Sequence, residues 1–121
     1  MIASPHSAGS LLAGLDSLPR RMRRITGTAT ELARRLADHP AVEHVRYPGY
    51  SGLISFDVAE PREVETRTRV ITNATSLGGV NSTIESRHRW EGDRIPTGLL
   101  RLSVGLEEPE ALWEDLAGAL G

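Results

Sequence analysis

The chain has 121 residues, 39% of them hydrophobic and 25% charged, with a formal net charge of -2. This is the size and mix of one globular domain with room for a single core, which excludes a disordered or fibrous chain. It has no cysteine, and all 14 basic residues are arginine, so disulfides, thiolate zinc sites, thiol nucleophiles and every lysine-based chemistry (Schiff base, P-loop, general base) are excluded.

The first ten residues have neither the positive start nor the apolar run of a signal peptide, and no stretch approaches the ~20 apolar residues of a membrane span, so a cytoplasmic location with no membrane partner is expected. From Leu11 the apolar residues Leu15, Leu18, Met22, Ile25, Ala29, Leu32 and Leu36 follow at steps of four and three, one helical stripe. Gly14 and Asp16-Ser17-Leu18-Pro19 interrupt it, which predicts a short helix over about 6–14 and a long one over about 18–38, ended by His39-Pro40.

Val42 to Tyr47 alternates as a strand, with Val42, His44 and Arg46 on one face and Glu43, Val45 and Tyr47 on the other; Pro48-Gly49 ends it. Leu53, Ile54, Phe56 and Val58 give a second strand, close enough in sequence for antiparallel pairing with the first. Pro61 opens a helix to about Asn73, with Val64, Thr68 and Ile71 inward and Arg62, Arg67 and Arg69 largely outward. Residues 85–97 read as a polar loop. Leu99 to Val104 is the clearest strand, with Leu100, Leu102 and Val104 on one face and Leu99, Arg101 and Ser103 on the other. Pro109 starts a final helix whose apolar side is Leu112, Leu116, Ala119 and Leu120. The order helix, helix, strand, strand, helix, strand, strand, helix predicts a single α+β two-layer domain, a small mostly antiparallel sheet with helices on one face.

Four features invite a chemical reading. Arg20-Arg21-Met22-Arg23-Arg24 has the charge of a phosphate patch, but Met22 lies on the apolar stripe and no aromatics are interleaved, so a solvated helix face is the better reading and a nucleic-acid partner is not expected. His6, His39, His44 and His88 share no metal-ligand spacing and read as ordinary histidines. Gly78-Gly79 lacks the G-x-G-x-x-G pattern and the lysine of a phosphate loop. Arg101 sits inside an apolar strand, either facing solvent or aimed at an anion that its guanidinium grips with two parallel hydrogen bonds.

Several segments then occur in a telling order: Gly14-Leu15-Asp16-Ser17-Leu18 with Arg21-Met22, His39-Pro40 followed by Val42 and Val45 to Gly49, Ser51-Gly52-Leu53-Ile54-Ser55-Phe56, Ser76-Leu77-Gly78-Gly79-Val80, and Leu100-Arg101-Leu102-Ser103-Val104-Gly105-Leu106-Glu107. Across nearly the whole chain these resemble the C-terminal domain of the Cys/Met-metabolism pyridoxal-phosphate enzymes, the group of cystathionine γ-lyase, cystathionine γ-synthase and methionine γ-lyase. Glu85 to Pro96 is most similar to cystathionine γ-lyase-like members. The resemblance implies the small domain of a fold-type I enzyme, with Arg101 binding the α-carboxylate of an amino-acid substrate. It also implies that Ser76-Leu77 lines the same pocket through its backbone, and that the position of Thr75 bears on which side chain is accepted.

The departures are equally specific. The family's large domain carries the lysine that holds the cofactor, the aspartate that pairs with the pyridinium nitrogen and the stacking tyrosine, and none of these is present. The link from Tyr47-Pro48-Gly49 to Ser51 is shorter than usual, and Asn81-Ser82 stands where Glu-Ser is usual. The resemblance therefore implies a substrate-positioning fragment, split subunit or remnant of a pyridoxal-phosphate-dependent transsulfuration enzyme. Such a chain binds no cofactor alone, is inactive alone, and has as its expected partners a large cofactor-binding domain or subunit, an amino-acid carboxylate and a second copy of itself. The alternative is a stand-alone carboxylate-binding or protein-interaction module that kept the fold.

Overall fold

The computed structural model describes residues 7–74, 81–87 and 97–121, with backbone alone for 7–17. The described elements are α1 (Ser7–Ala37), β1 (Glu43–Arg46), β2 (Leu53–Asp57), α2 (Pro61–Arg67), β3 (Thr72–Asn73), β4 (Thr83–Ser86), β5 (Leu99–Ser103) and α3 (Pro109–Leu120). The strands form one sheet in the order β1-β2-β5-β4-β3, antiparallel except for the β3–β4 pair. Ile54, Phe56, Ile84, Leu100 and Leu102 line one face of the sheet and are fully buried in a single core with Leu32 and Leu36 of α1, Val64 of α2, and Leu112 and Leu116 of α3. Each such side chain contributes about 2 kcal/mol by leaving water, which makes this face the main source of cohesion. The α+β reading with helices on one sheet face is thus the observed architecture.

The expected helix pair is one helix, with Pro19 inside it. Proline removes a single N–H donor, whereas ending a helix strands up to four carbonyls and starting another strands four N–H groups. The apolar stripe runs on through this point, so continuity is the cheaper arrangement. The helix predicted from Pro61 to Asn73 instead stops at Arg67, with Thr68 extended (ψ 148°). The N–H groups of Arg69, Val70 and Ile71 turn aside to the Asp115 carboxylate of α3, at 2.7, 2.9 and 2.8 Å. Released from the helix, Thr72 and Asn73 pair with β4. The order calls for a strand here, but β4 runs on through Glu85 and Ser86, the first residues of the stretch expected to be loop; residues 88–96 of that stretch lie outside the described residues.

β1 also departs from simple alternation. His44 adopts φ 54°, and the pairing register shifts between Glu43 and Arg46, a bulge that adds one residue to the strand. Val42, Val45 and Tyr47 consequently all pack on the core, while Glu43, His44 and Arg46 stay exposed, so Val42 does not share a face with His44 and Arg46. The link to β2 is fixed by the Tyr47 hydroxyl donating to Ser51 O at 2.6 Å and by Ser51 N–H donating to Thr26 Oγ1 at 3.0 Å. Gly52 then passes so close to β5 and α1 that a Cβ would lie 2.7 Å from Val104 O and 2.8 Å from Ile25 Cγ2. At the far end of α1, Arg35 joins Glu31 at 2.8 Å and Glu110 at 2.6 Å and lies over the Trp113 ring, pinning α1 to α3.

Asp57, at the end of β2, gathers His44 Nδ1 at 2.9 Å and Arg46 Nη2 at 3.0 Å across the bulge. Partial burial pushes its carboxyl up, but the hydrogen bonds from Arg46 and His44 outweigh this and hold it below the usual aspartate value. A depressed folded-state value means that its stabilisation is complete above the ordinary aspartate range and lost as pH falls through the folded value. Melting temperature is therefore expected to fall between about pH 5 and about pH 2, and Asp57→Asn to flatten part of that slope. Asp115→Ala, which leaves three N–H groups without their acceptor, is expected to destabilise the fold by about 2 kcal/mol in a urea titration, a larger effect than Glu114→Ala.

Candidate functional site

The sheet face away from the helices carries a polar row flanked by Leu53 and Leu99. Across it the register sets Arg46 opposite Ser55, Ser55 opposite Arg101, and Arg101 opposite Glu85, a row of four residues from β1 to β4. Arg101 projects from the central strand with the small Ser55 on one side and Glu85 on the other. Its Nη2 donates to Glu85 Oε1 at 3.0 Å, and Arg87 Nη1 donates to the same oxygen. The Glu85 side chain is only 3% exposed and that of Arg101 28% exposed, so the acid lies at the base of the cluster and the guanidinium nearer the open side. A carboxylate this buried is tolerable because two guanidinium groups compensate it.

The strand that carries Glu85 is clamped by two further acids. Ser86, on the helix side, donates its N–H to Glu65 Oε1 at 2.8 Å and its hydroxyl to Oε2 at 2.9 Å, and Glu65 is fully buried in α2. Ser82, just before β4, donates its N–H and hydroxyl to Glu107 at 2.8 and 2.7 Å, and its hydroxyl oxygen accepts from Gly105 N–H at 2.7 Å. Both ends of β4 are thereby set relative to α2 and to the end of β5, which fixes Glu85 against Arg101.

Of the substrate-site residues implied by the resemblance, Arg101 is the one whose surroundings are described. Thr75, Ser76 and Leu77, like Gly78-Gly79, His6 and His88, lie outside the described residues. His39 accepts a hydrogen bond from Ala41 N–H at 3.0 Å and meets Trp113 edge-on, and His44 serves Asp57, so both are structural. Within the basic run of α1, Arg20, Arg23 and Arg24 are exposed as a solvated face requires, and Arg24 also binds Leu106 O and Glu108 at 2.9 and 3.1 Å. Among the described residues no acid or histidine cluster suits a metal ion, and no helix is long and apolar enough to cross a membrane. Sequence reasoning missed Glu85. Its one local signal is its place after Ile84, and its role appears only when β4 is paired with β5.

An apolar groove of about 780 Å3 lies elsewhere, on α1, lined in part by Leu18, Pro19, Met22 and Tyr50. Leu18 and Tyr50 are 56% and 63% exposed, unusual for large apolar side chains that lie together.

Comparison with known proteins adds the ancestry. The family model for Cys/Met metabolism PLP-dependent enzymes matches residues 1–121. An L-methionine gamma-lyase of Streptomyces avermitilis is 46% identical over 132 aligned positions, which take in 99% of this chain and 32% of the relative. A cystathionine gamma-lyase of Bacillus subtilis is 32% identical, over 98% of this chain and 39% of its own length. The crystal structure of an apo methionine gamma lyase from Micromonospora echinospora superposes with a TM-score of 0.82 at 34% identity, covering 90% of this chain and 35% of that one. The chain thus spans about a third of the length of these relatives. The 132 aligned positions exceed its own 121 residues, so the Streptomyces relative carries residues that this chain lacks.

Proposed function

The chain belongs to the Cys/Met-metabolism PLP-dependent enzyme family, and from that premise we propose that residues 1–121 are the C-terminal small domain of a cystathionine γ-lyase-like enzyme and position its amino-acid substrate. The observation that carries this reading is Arg101: it stands on the central strand, on the sheet face that none of the described helices covers, with its guanidinium steadied by a buried acid. One of its five N–H donors is committed to Glu85, which leaves a two-donor edge for a substrate carboxylate. In this proposal Ser76-Leu77 and Thr75, assigned to the same pocket by family resemblance, follow closely on β3, which pairs with the strand of Glu85.

The cofactor does not fit these residues as its holder. Covalent attachment requires a lysine amine, and the sequence contains none. The cofactor-binding large domain is therefore supplied by residues outside these 121, and the work of this part is to bind and orient the substrate carboxylate. The apolar groove beside Leu18 and Tyr50 is the surface proposed to meet that large domain or a second copy of the chain.

Titration of the 121-residue chain with L-methionine is expected to show binding that Arg101→Ala weakens by at least roughly tenfold, the worth of a charge-assisted carboxylate contact. Undiminished binding by the variant would overturn the assignment. The purified chain, given pyridoxal phosphate and L-methionine or L-cystathionine with no other protein, is expected to release no ammonia or 2-oxo acid. Measurable release would contradict a purely substrate-positioning role.

A further inference from the structure

We infer that Glu85 is the positioning residue that aims the Arg101 guanidinium, an inference that rests on the reading of Arg101 as the carboxylate-binding residue. The two residues face each other directly across the β4–β5 ladder, where side chains on one sheet face come closest. The contact is made at Nη2, the far end of the arginine, so it fixes the direction of the guanidinium plane rather than merely the stem. The acid is itself held: Arg87 Nη1 bonds the same Oε1, and the clamps at Ser82 and Ser86 fix the strand on either side.

A purely architectural role explains these observations poorly. On stability alone a buried ion pair is seldom better than apolar residues of similar volume, so a carboxylate at the base of this cluster stands out as a directing group. An arginine without such a partner samples many rotamers and loses that freedom on binding, which weakens its grip on a ligand. With Glu85 in place the freedom is already lost in the folded chain, and the guanidinium presents its remaining donors in one orientation.

Arginine-selective 15N NMR of the 121-residue chain tests this directly. A guanidinium locked by a carboxylate rotates slowly about Nε–Cζ, and its two Nη groups give separate signals at low temperature. Arg101 in the wild-type chain is expected to show them, and Glu85→Gln to merge them while weakening L-methionine binding by roughly tenfold. Separate Arg101 signals that persist in Glu85→Gln would overturn the inference. So would merged signals in the wild-type chain, a result that does not depend on the variant folding. The functional reading is decided separately: if L-methionine leaves the Arg101 Nε–H signal of the wild-type chain unmoved, carboxylate binding is wrong, whereas the Nη signals alone decide whether Glu85 aims the arginine.

Discussion

Leu100 and Leu102 enter the core and Arg101 leaves it because successive residues of a strand face opposite sides of the sheet. β5 lies between β2 and β4, so this period of two is imposed from both edges at once. A slip of one residue would bury a guanidinium among leucines and expose the leucines to water, a reversal that no local adjustment repairs. The burial of three helices against one face and the direction of one arginine on the other are the same constraint seen from its two sides. A shift of register at β5 would therefore disturb core and candidate site together.

Acidic side chains do much of the remaining work, and they do it on backbone N–H groups. Glu65 caps the end of β4 from α2, Glu107 joins the start of β4 to the end of β5, and Asp115 of α3 collects the chain as it leaves α2. Each is a charge-assisted bond between residues far apart in sequence, stronger than a neutral one and specific in direction. They settle where a helix stops and a strand begins at points where local preference leaves the matter open.

That is also why the sequence could be read well in some places and poorly in others. β5 and α3 were legible because their apolar residues recur with the right period and are bounded by Gly105 and Pro109. β4 was not. Glu85-Ser86 reads as the start of a polar loop until both are seen to be buried, each satisfied by a partner on another element. The early end of α2 was hidden for the same reason, since it is set by Asp115, far along the chain. In β1, one residue at positive φ was enough to move Val42 to the opposite face from the one alternation gave it. Of the candidate site, Arg101 could be found from pattern and from family resemblance, whereas Glu85 required the pairing register.

Several acids in this domain are shared by two cationic side chains: Glu31 by Arg34 and Arg35, Asp57 by His44 and Arg46, and Glu85 by Arg87 and Arg101. Double occupancy works as mutational insurance. Losing either cation leaves the carboxylate compensated by the other, so the deepest of these acids, Glu85, is not orphaned when Arg101 changes. The arginine that faces the open side can therefore drift in evolution, or be replaced at the bench, with a ligand contact at stake rather than the fold beneath it.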